Sequence, residues 1–250
     1  MKPLLRRAVL LLKNLKRTLL RSCSKMVPKM NIQKTLELNG FADLGVFHPD
    51  QSSAQVVARI GVEIDCKLSR RMESLTANPI DAKPINTYAG NFGLGQLPLH
   101  TDLAHWHIPP HYLMLRCIVA DPSVSTMVVH HRRALATVPD AIIDRALFRP
   151  RRRLDGQMFL LRLRDKEIFR WDQLFLKPDN MEARQIYDSL VNPLTHKEIQ
   201  TISLDAPGRT ILIDNWAALH GRGATSSLGS NRVIERAYFS NRKRDAQNAQ

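Results

Sequence analysis

The chain has 250 residues, 44% of them apolar and 24% charged, which is enough for one sizeable core and does not require two. No apolar run approaches the ~20 residues of a spanning helix, so a helical membrane protein is excluded. The formal charge of +14 points toward polyanions until it is located: Lys2, Arg6, Arg7, Lys13, Lys16, Arg17, Arg21 and Lys25 carry eight positive charges with no acid among residues 1–25, leaving +6 for the rest. Nucleic acid is therefore not the expected partner.

Leu4, Ala8, Leu12, Leu15 and Leu19 recur at helical spacing among those cations. Residues 1–28 read as a basic amphipathic N-terminal extension, suited to an anionic membrane surface or to organellar targeting, with Val27-Pro28 as its boundary. Residues 29–250 are left as the main domain. The three cysteines, Cys23, Cys66 and Cys117, are odd in number and far apart. They fit a reducing, cytoplasmic setting with an optional peripheral membrane contact, not a disulfide or zinc framework. Cys117 sits in the apolar run Tyr112–Ala120 and is expected to be a buried small hydrophobe.

Along the chain, Gln55–Ile64 predicts a helix capped from Asp50, Ser52 and Ser53. Asn86–Gly95 predicts a loop. Its GNFGLG stretch lacks the Gly-Lys-Ser/Thr ending of a phosphate cradle and opens onto a strand. Short apolar runs then dominate: Leu97–Leu103, Tyr112–Ala120, Thr126–Val129, Met158–Leu163, Thr210–Ile213 and Arg232–Phe239. Turn residues such as Asp121-Pro122, Asp155-Gly156 and Ala206-Pro207-Gly208 separate them, which predicts a sandwich or barrel-like pair of sheets. Helices are expected at Arg133–Leu147, broken or restarted at Pro139, and at Met181–Val191.

The chemistry concentrates at His100-Thr101-Asp102. On a strand, alternate side chains share a face, so His100 and Asp102 point together and Thr101 points away. His220, reached through the loop Asp214–Leu219, is the candidate third ligand. Two histidines and one carboxylate on one face of an octahedron leave adjacent positions open, an arrangement associated with non-haem Fe(II) oxygenases. An oxo-acid cosubstrate with a distal carboxylate needs a buried cation, and Arg232 and Arg236 share a strand face after His220. Periodicity alone does not say which of them takes that role. His105, His107 and His111 are separated by Pro109-Pro110 and have no neighbouring carboxylate, so no second metal is expected there. Trp106 is a candidate for lining the substrate pocket. Asn215 and Trp216 are adequately explained by loop packing and hydrogen bonding.

The segments LPLHTDLAHW, NWAALHGRGAT and NRVIERAYF together resemble the taurine dioxygenase and gamma-butyrobetaine hydroxylase-like superfamily, over roughly residues 85–240. That resemblance implies a mainly β fold with flanking helices (α+β), a double-stranded β-helix or jelly roll. It also implies an Fe(II)- and 2-oxoglutarate-dependent dioxygenase that uses O2 and releases succinate and CO2. By the same resemblance Thr126 and Arg232 hold the 2-oxoglutarate carboxylate, and Arg236 matches an arginine that holds an anionic group of a small substrate. The usual Gly-Asp before the threonine is Val124-Ser125 here. Two alternatives stand beside this reading: a nucleic-acid-directed oxygenase of the same broad fold, and a metal-free jelly-roll binding protein with a membrane-surface helix. The 118 positions between Asp102 and His220 weigh against the first, and the intact ligand set weighs against the second.

Overall fold

Two antiparallel sheets face each other across an apolar layer, and the central strands of the larger one are apolar on both sides. In the computed structural model, residues 31–69, 72–77, 87–153, 156–191, 198–225 and 231–241 are described. The basic segment 1–28 lies outside these residues. Fifteen strands occur among them: β1 (Phe41–Val46), β2 (Cys66–Leu68), β3 (Glu73–Thr76), β4 (Leu97–His100), β5 (Tyr112–Val119), β6 (Ser125–His130), β7 (Leu147–Pro150), β8 (Leu161–Arg162), β9 (Arg164–Asp165), β10 (Ile168–Phe169), β11 (Leu176–Pro178), β12 (Gln200–Ser203), β13 (Arg209–Asp214), β14 (Ala218–Arg222) and β15 (Val233–Asn241). Six helices accompany them: α1 (Ile32–Asn39), α2 (Ser53–Glu63), α3 (Tyr88–Phe92), α4 (His131–Ala134), α5 (Asp140–Arg145) and α6 (Met181–Val191).

The larger sheet runs β1-β13-β5-β15-β2, with β3 also on β15, and the smaller runs β12-β6-β14-β4. Every pairing within the two is antiparallel. The period of two sorts the side chains of the larger sheet. Leu113, Leu115, Cys117, Ile211, Ile213 and Tyr238 face the smaller sheet, where Val128, Ile202 and Ala218 meet them. Met114, Leu212, Ala237 and Phe239 face outward, under α1 and α2. A third apolar cluster, built around Phe148, Trp171, Leu176 and Ile186, closes the outer face of the smaller sheet through Val129 and Leu219. Each fully buried Leu or Ile in these layers contributes about 1.5–3 kcal/mol over its exposed state. Layers on both sides explain why the central strands read as unbroken apolar runs and not as alternating ones.

Two of the expected helices, α2 and α6, follow their sequence signals closely. Ser52 and Gln55 form a reciprocal capping box at the start of α2. The interruption expected at Pro139 is real: α4 ends before it and α5 starts after it, and Leu147 already belongs to β7. α6 spans the residues expected for it.

Three local expectations need correction. Asn86–Gly95 is not simply a loop, because Thr87 caps the short helix α3 and Gly93 closes it at φ +47°. Met158–Leu163 is mostly irregular, since Met158 and Leu160 face solvent and only Leu161–Arg162 pairs. The strand expected over Leu97–Leu103 stops at His100, and Leu103 sits at φ +56° within a turn.

Candidate metal centre

His100 ends β4 and His220 lies mid-way along β14, directly opposite it in the register of the smaller sheet. His220 is therefore held by strand pairing on both sides, to His100 and to Val128 of β6, and not by a loop as its sequence context suggests. Asp102 arrives differently. The chain leaves β4, and Thr101 turns away to pair with Trp171, donating its N–H to the Trp171 carbonyl at 2.8 Å and accepting the Trp171 N–H at 3.1 Å. Asn215 then locks the next residue, accepting the Asp102 N–H at 2.7 Å and donating to the Asp102 and Pro110 carbonyls at 2.9 Å each. Thus Asp102 shares a face with His100 because a turn and an asparagine hold it there, not because a strand continues.

The three side chains are buried, and one ligand atom from each lies within 4.8 Å of the others. Asp102 Oδ1 is 3.3 Å from His100 Nε2 and 3.6 Å from His220 Nε2. Ligands at about 2.1 Å and right angles around one ion would be about 3 Å apart, so the cluster is slightly wider than a loaded site and has the right shape. The supporting contact of His100 also fits. His100 Nδ1 lies 2.8 Å from the Pro98 carbonyl, which leaves Nε2 as the free donor to a metal. His220 Nδ1 is buried with no hydrogen-bond partner. Burial and the nearby His100 hold the His220 imidazole neutral. Burial opposes ionisation of Asp102, but the Arg236 guanidinium and the two histidines outweigh it and hold the carboxyl well below its usual range. His100 is pushed up despite its burial, mainly by Asp102. A divalent cation at this point would reverse that last shift, since an imidazole must be neutral to ligate.

A cavity of about 330 Å³ opens from the triad between the two sheets. Arg232, Ile234 and Arg236 all line it, so the shared face expected for the two arginines is present. Arg232 is buried and donates to the Thr126 hydroxyl at 2.8 Å and the Val124 carbonyl at 3.0 Å. The two residues paired by resemblance are thus in contact. Burial pulls the Arg232 guanidinium down to about 10, the mark of a cation held out of water. Arg236 bonds Asp102 Oδ2 at 3.0 Å and Glu73 at 2.7 Å. Trp106 does not line the cavity: it is half-buried in the turn beyond Asp102, where its carbonyl accepts from the buried Arg170. His105 packs tilted against Phe175, His107 and His111 stack on Phe159 and Trp216, and none of the three joins the metal cluster.

Several participants were missed in the sequence. Tyr88 lies over the His100 ring at 4.3 Å and donates to the buried Asp172 at 2.6 Å. Tyr238 donates to Asp102 Oδ2 at 2.8 Å. Arg222 lines the cavity, its guanidinium donating to the Gly93 and Gly95 carbonyls and so tying the segment after α3 to β14. One signal for Tyr238 was present: it stands two residues after Arg236 and therefore on the same strand face.

Two histidines and an aspartate thus gather beside a cavity between two sheets of a mainly β, antiparallel fold. Among solved structures, an asparagine oxygenase in complex with Fe(II), 2S,3S-3-hydroxyasparagine and succinate superposes with a TM-score of 0.55, at 22% identity over 71% of this chain and 59% of its own. The non-haem iron oxygenase OrfP with Fe, succinate and (3S)-hydroxy-L-Arg does so at 0.51 and 17% identity, over 72% and 62%. OrfP with (3R,4R)-dihydroxy-L-Arg does so at 0.51 and 19%, over 76% and 61%. The chain spans about three fifths of the length of these solved proteins, 59% to 62%. No protein-family model and no curated protein matches it.

Proposed function

We propose that the protein is an Fe(II)- and 2-oxoglutarate-dependent dioxygenase of the double-stranded β-helix type, hydroxylating a small organic substrate. The taurine dioxygenase and gamma-butyrobetaine hydroxylase-like group is the family its motifs resemble. The observation that carries this reading is that the metal triad and the Arg232–Thr126 pair line one cavity. Three ligands on one side leave the opposite coordination positions to the cavity. When bound, iron supplies the redox chemistry by which O2 and 2-oxoglutarate yield succinate, CO2 and one hydroxylated C–H bond. The chain's own residues do the rest. His100, Asp102 and His220 fix the metal; Arg232, steadied by Thr126, takes the distal carboxylate of the cosubstrate as a charge-assisted pair. Leu97, Leu115, Val124 and Ile234 line the cavity with apolar surface that keeps water from the reacting centre. The solved relatives in fold hold hydroxylated asparagine and arginine, so the first substrates to try are free amino acids, polar ones foremost.

The test is succinate formation by the purified protein with Fe(II), 2-oxoglutarate, O2 and a panel of amino acids and small carboxylates. Slow turnover without substrate, stimulated by one member of the panel and lost in His100→Ala, is expected. Absence of Fe(II)-dependent succinate under every condition, with no metal bound by the native protein, would overturn the reading.

A further inference from the structure

The sequence resemblance assigns Arg236 to a substrate anion, but the structure gives its guanidinium other work. One terminal nitrogen donates to Asp102 Oδ2 at 3.0 Å, and the other to Glu73 Oε2 of β3 at 2.7 Å. The Tyr238 hydroxyl reaches the same Oδ2 at 2.8 Å, and Arg236 lies over the Tyr238 ring at 4.9 Å from its centroid. The two imidazoles approach the other oxygen, Oδ1. The carboxylate is thereby divided: Oδ2 is spent on two donors from β15, and Oδ1 alone is turned to the point where the histidines converge. The Asp102 backbone is fixed separately by Asn215, so the carboxylate has neither a free rotation nor a free second oxygen.

Resting on the metal-site reading above, we propose that Arg236 and Tyr238 are positioning residues for the metal. They hold Asp102 as a one-oxygen ligand and so keep a further coordination position open to the cavity. A carboxylate free to bind through both oxygens would occupy one more position on the ion, and an octahedral site that must also admit a chelating oxo acid and O2 has none to spare. Glu73 completes the arrangement from the outside, half exposed, by fixing the far end of the guanidinium so that its near end stays on Asp102. β3 also carries Leu75 and Thr76 into the cavity wall, so the strand that anchors Arg236 is one that a substrate would touch.

Outer-sphere partners of metal ligands are worth about 10–100-fold in metal affinity. Co(II) is the probe, titrated into the purified native protein, Tyr238→Phe, Arg236→Gln and Arg236→Lys and followed by its visible absorption. The thermal melting of the metal-free proteins is measured alongside. Tyr238→Phe keeps the ring packed between the sheets and removes only the hydroxyl, so it isolates the contact from folding. The expected result is a loss of about 10-fold or more in Co(II) affinity for Tyr238→Phe and Arg236→Gln, a changed absorption band, and partial recovery in Arg236→Lys. Native-like affinity and spectrum in Tyr238→Phe and Arg236→Gln would overturn the proposal while leaving the metal site intact. If the native protein binds no Co(II), the metal reading and this proposal fall together.

Discussion

Asn215 offers the sharpest test of how the centre is built. Its side chain is fully buried and makes three hydrogen bonds, two of them to the backbone of Asp102 and one to Pro110. Asn215→Ala strands one amide N–H and removes a donor from two carbonyls, and each orphaned buried group costs about 1–3 kcal/mol. The vacated amide leaves room for about one water, which can restore part of this, so the expected destabilisation is about 2–4 kcal/mol and not the full sum. With a urea dependence of about 1–3 kcal/mol per molar, that moves the unfolding midpoint down by about 1 M or more. Because the same bonds aim Asp102, Co(II) affinity falls in the folded fraction as well. A variant that unfolds within about 0.5 kcal/mol of the native protein and binds Co(II) equally well would refute the claim that Asn215 places the ligand.

Other consequences can be measured separately. Arg232→Ala raises the 2-oxoglutarate concentration needed for half-maximal succinate formation by about 30-fold or more, since losing one partner of a buried charge pair costs about 2–5 kcal/mol; an unchanged requirement would place the cosubstrate elsewhere. Gly221→Ala puts a methyl 2.7 Å from the Leu97 carbonyl and 3.2 Å from that of Pro98, so β4 must shift. It should lose about 1–3 kcal/mol in urea unfolding and bind Co(II) more weakly. His131 is buried against Phe169, and burial pulls it down to about 4. A base depressed on folding contributes stability that is present above its unfolded value near 6.5 and is lost as pH falls toward 4. Unfolding at pH 7 and 4.5 should therefore differ by about 2 kcal/mol more in the native protein than in His131→Gln.

What could be read from the sequence depended on whether one segment carried its own signal. Tyr112–Val119 and Arg209–Asp214 grow from the apolar stretches Tyr112–Ala120 and Thr210–Ile213 between turn residues, and both are central strands. α1 was invisible because only Ile32 and Leu36 reach the core from a mostly polar octapeptide. β3 is polar and mostly exposed, and β14 hides behind Ala-Leu-His-Gly-Arg, which has neither β-branched residues nor alternation. In the site, the convergence of His100, Asp102 and His220 was readable from the His-Thr-Asp string and the distal His-Gly-Arg. The Arg232–Thr126 contact was suggested only by the family resemblance, since Thr126 lacks the usual preceding Gly-Asp. The contacts of Tyr88 and Tyr238 were not readable, since their partners Asp172 and Asp102 lie 84 and 136 residues away, and for Tyr238 only its face, shared with Arg236, could have been read.

Cys66 and Cys117 give the molecule two internal reporters. Cys66 packs in the layer beneath α1 and α2, and Cys117 in the layer between the sheets, at 2% and 0% exposure. The Cys117 thiol donates to the Leu204 carbonyl, and burial raises it further from its reactive form. A thiol reagent can therefore reach either one only when its own layer opens. With Cys23 replaced by serine, the two labelling rates report separately on how often the helices lift off the large sheet and how often the sheets part.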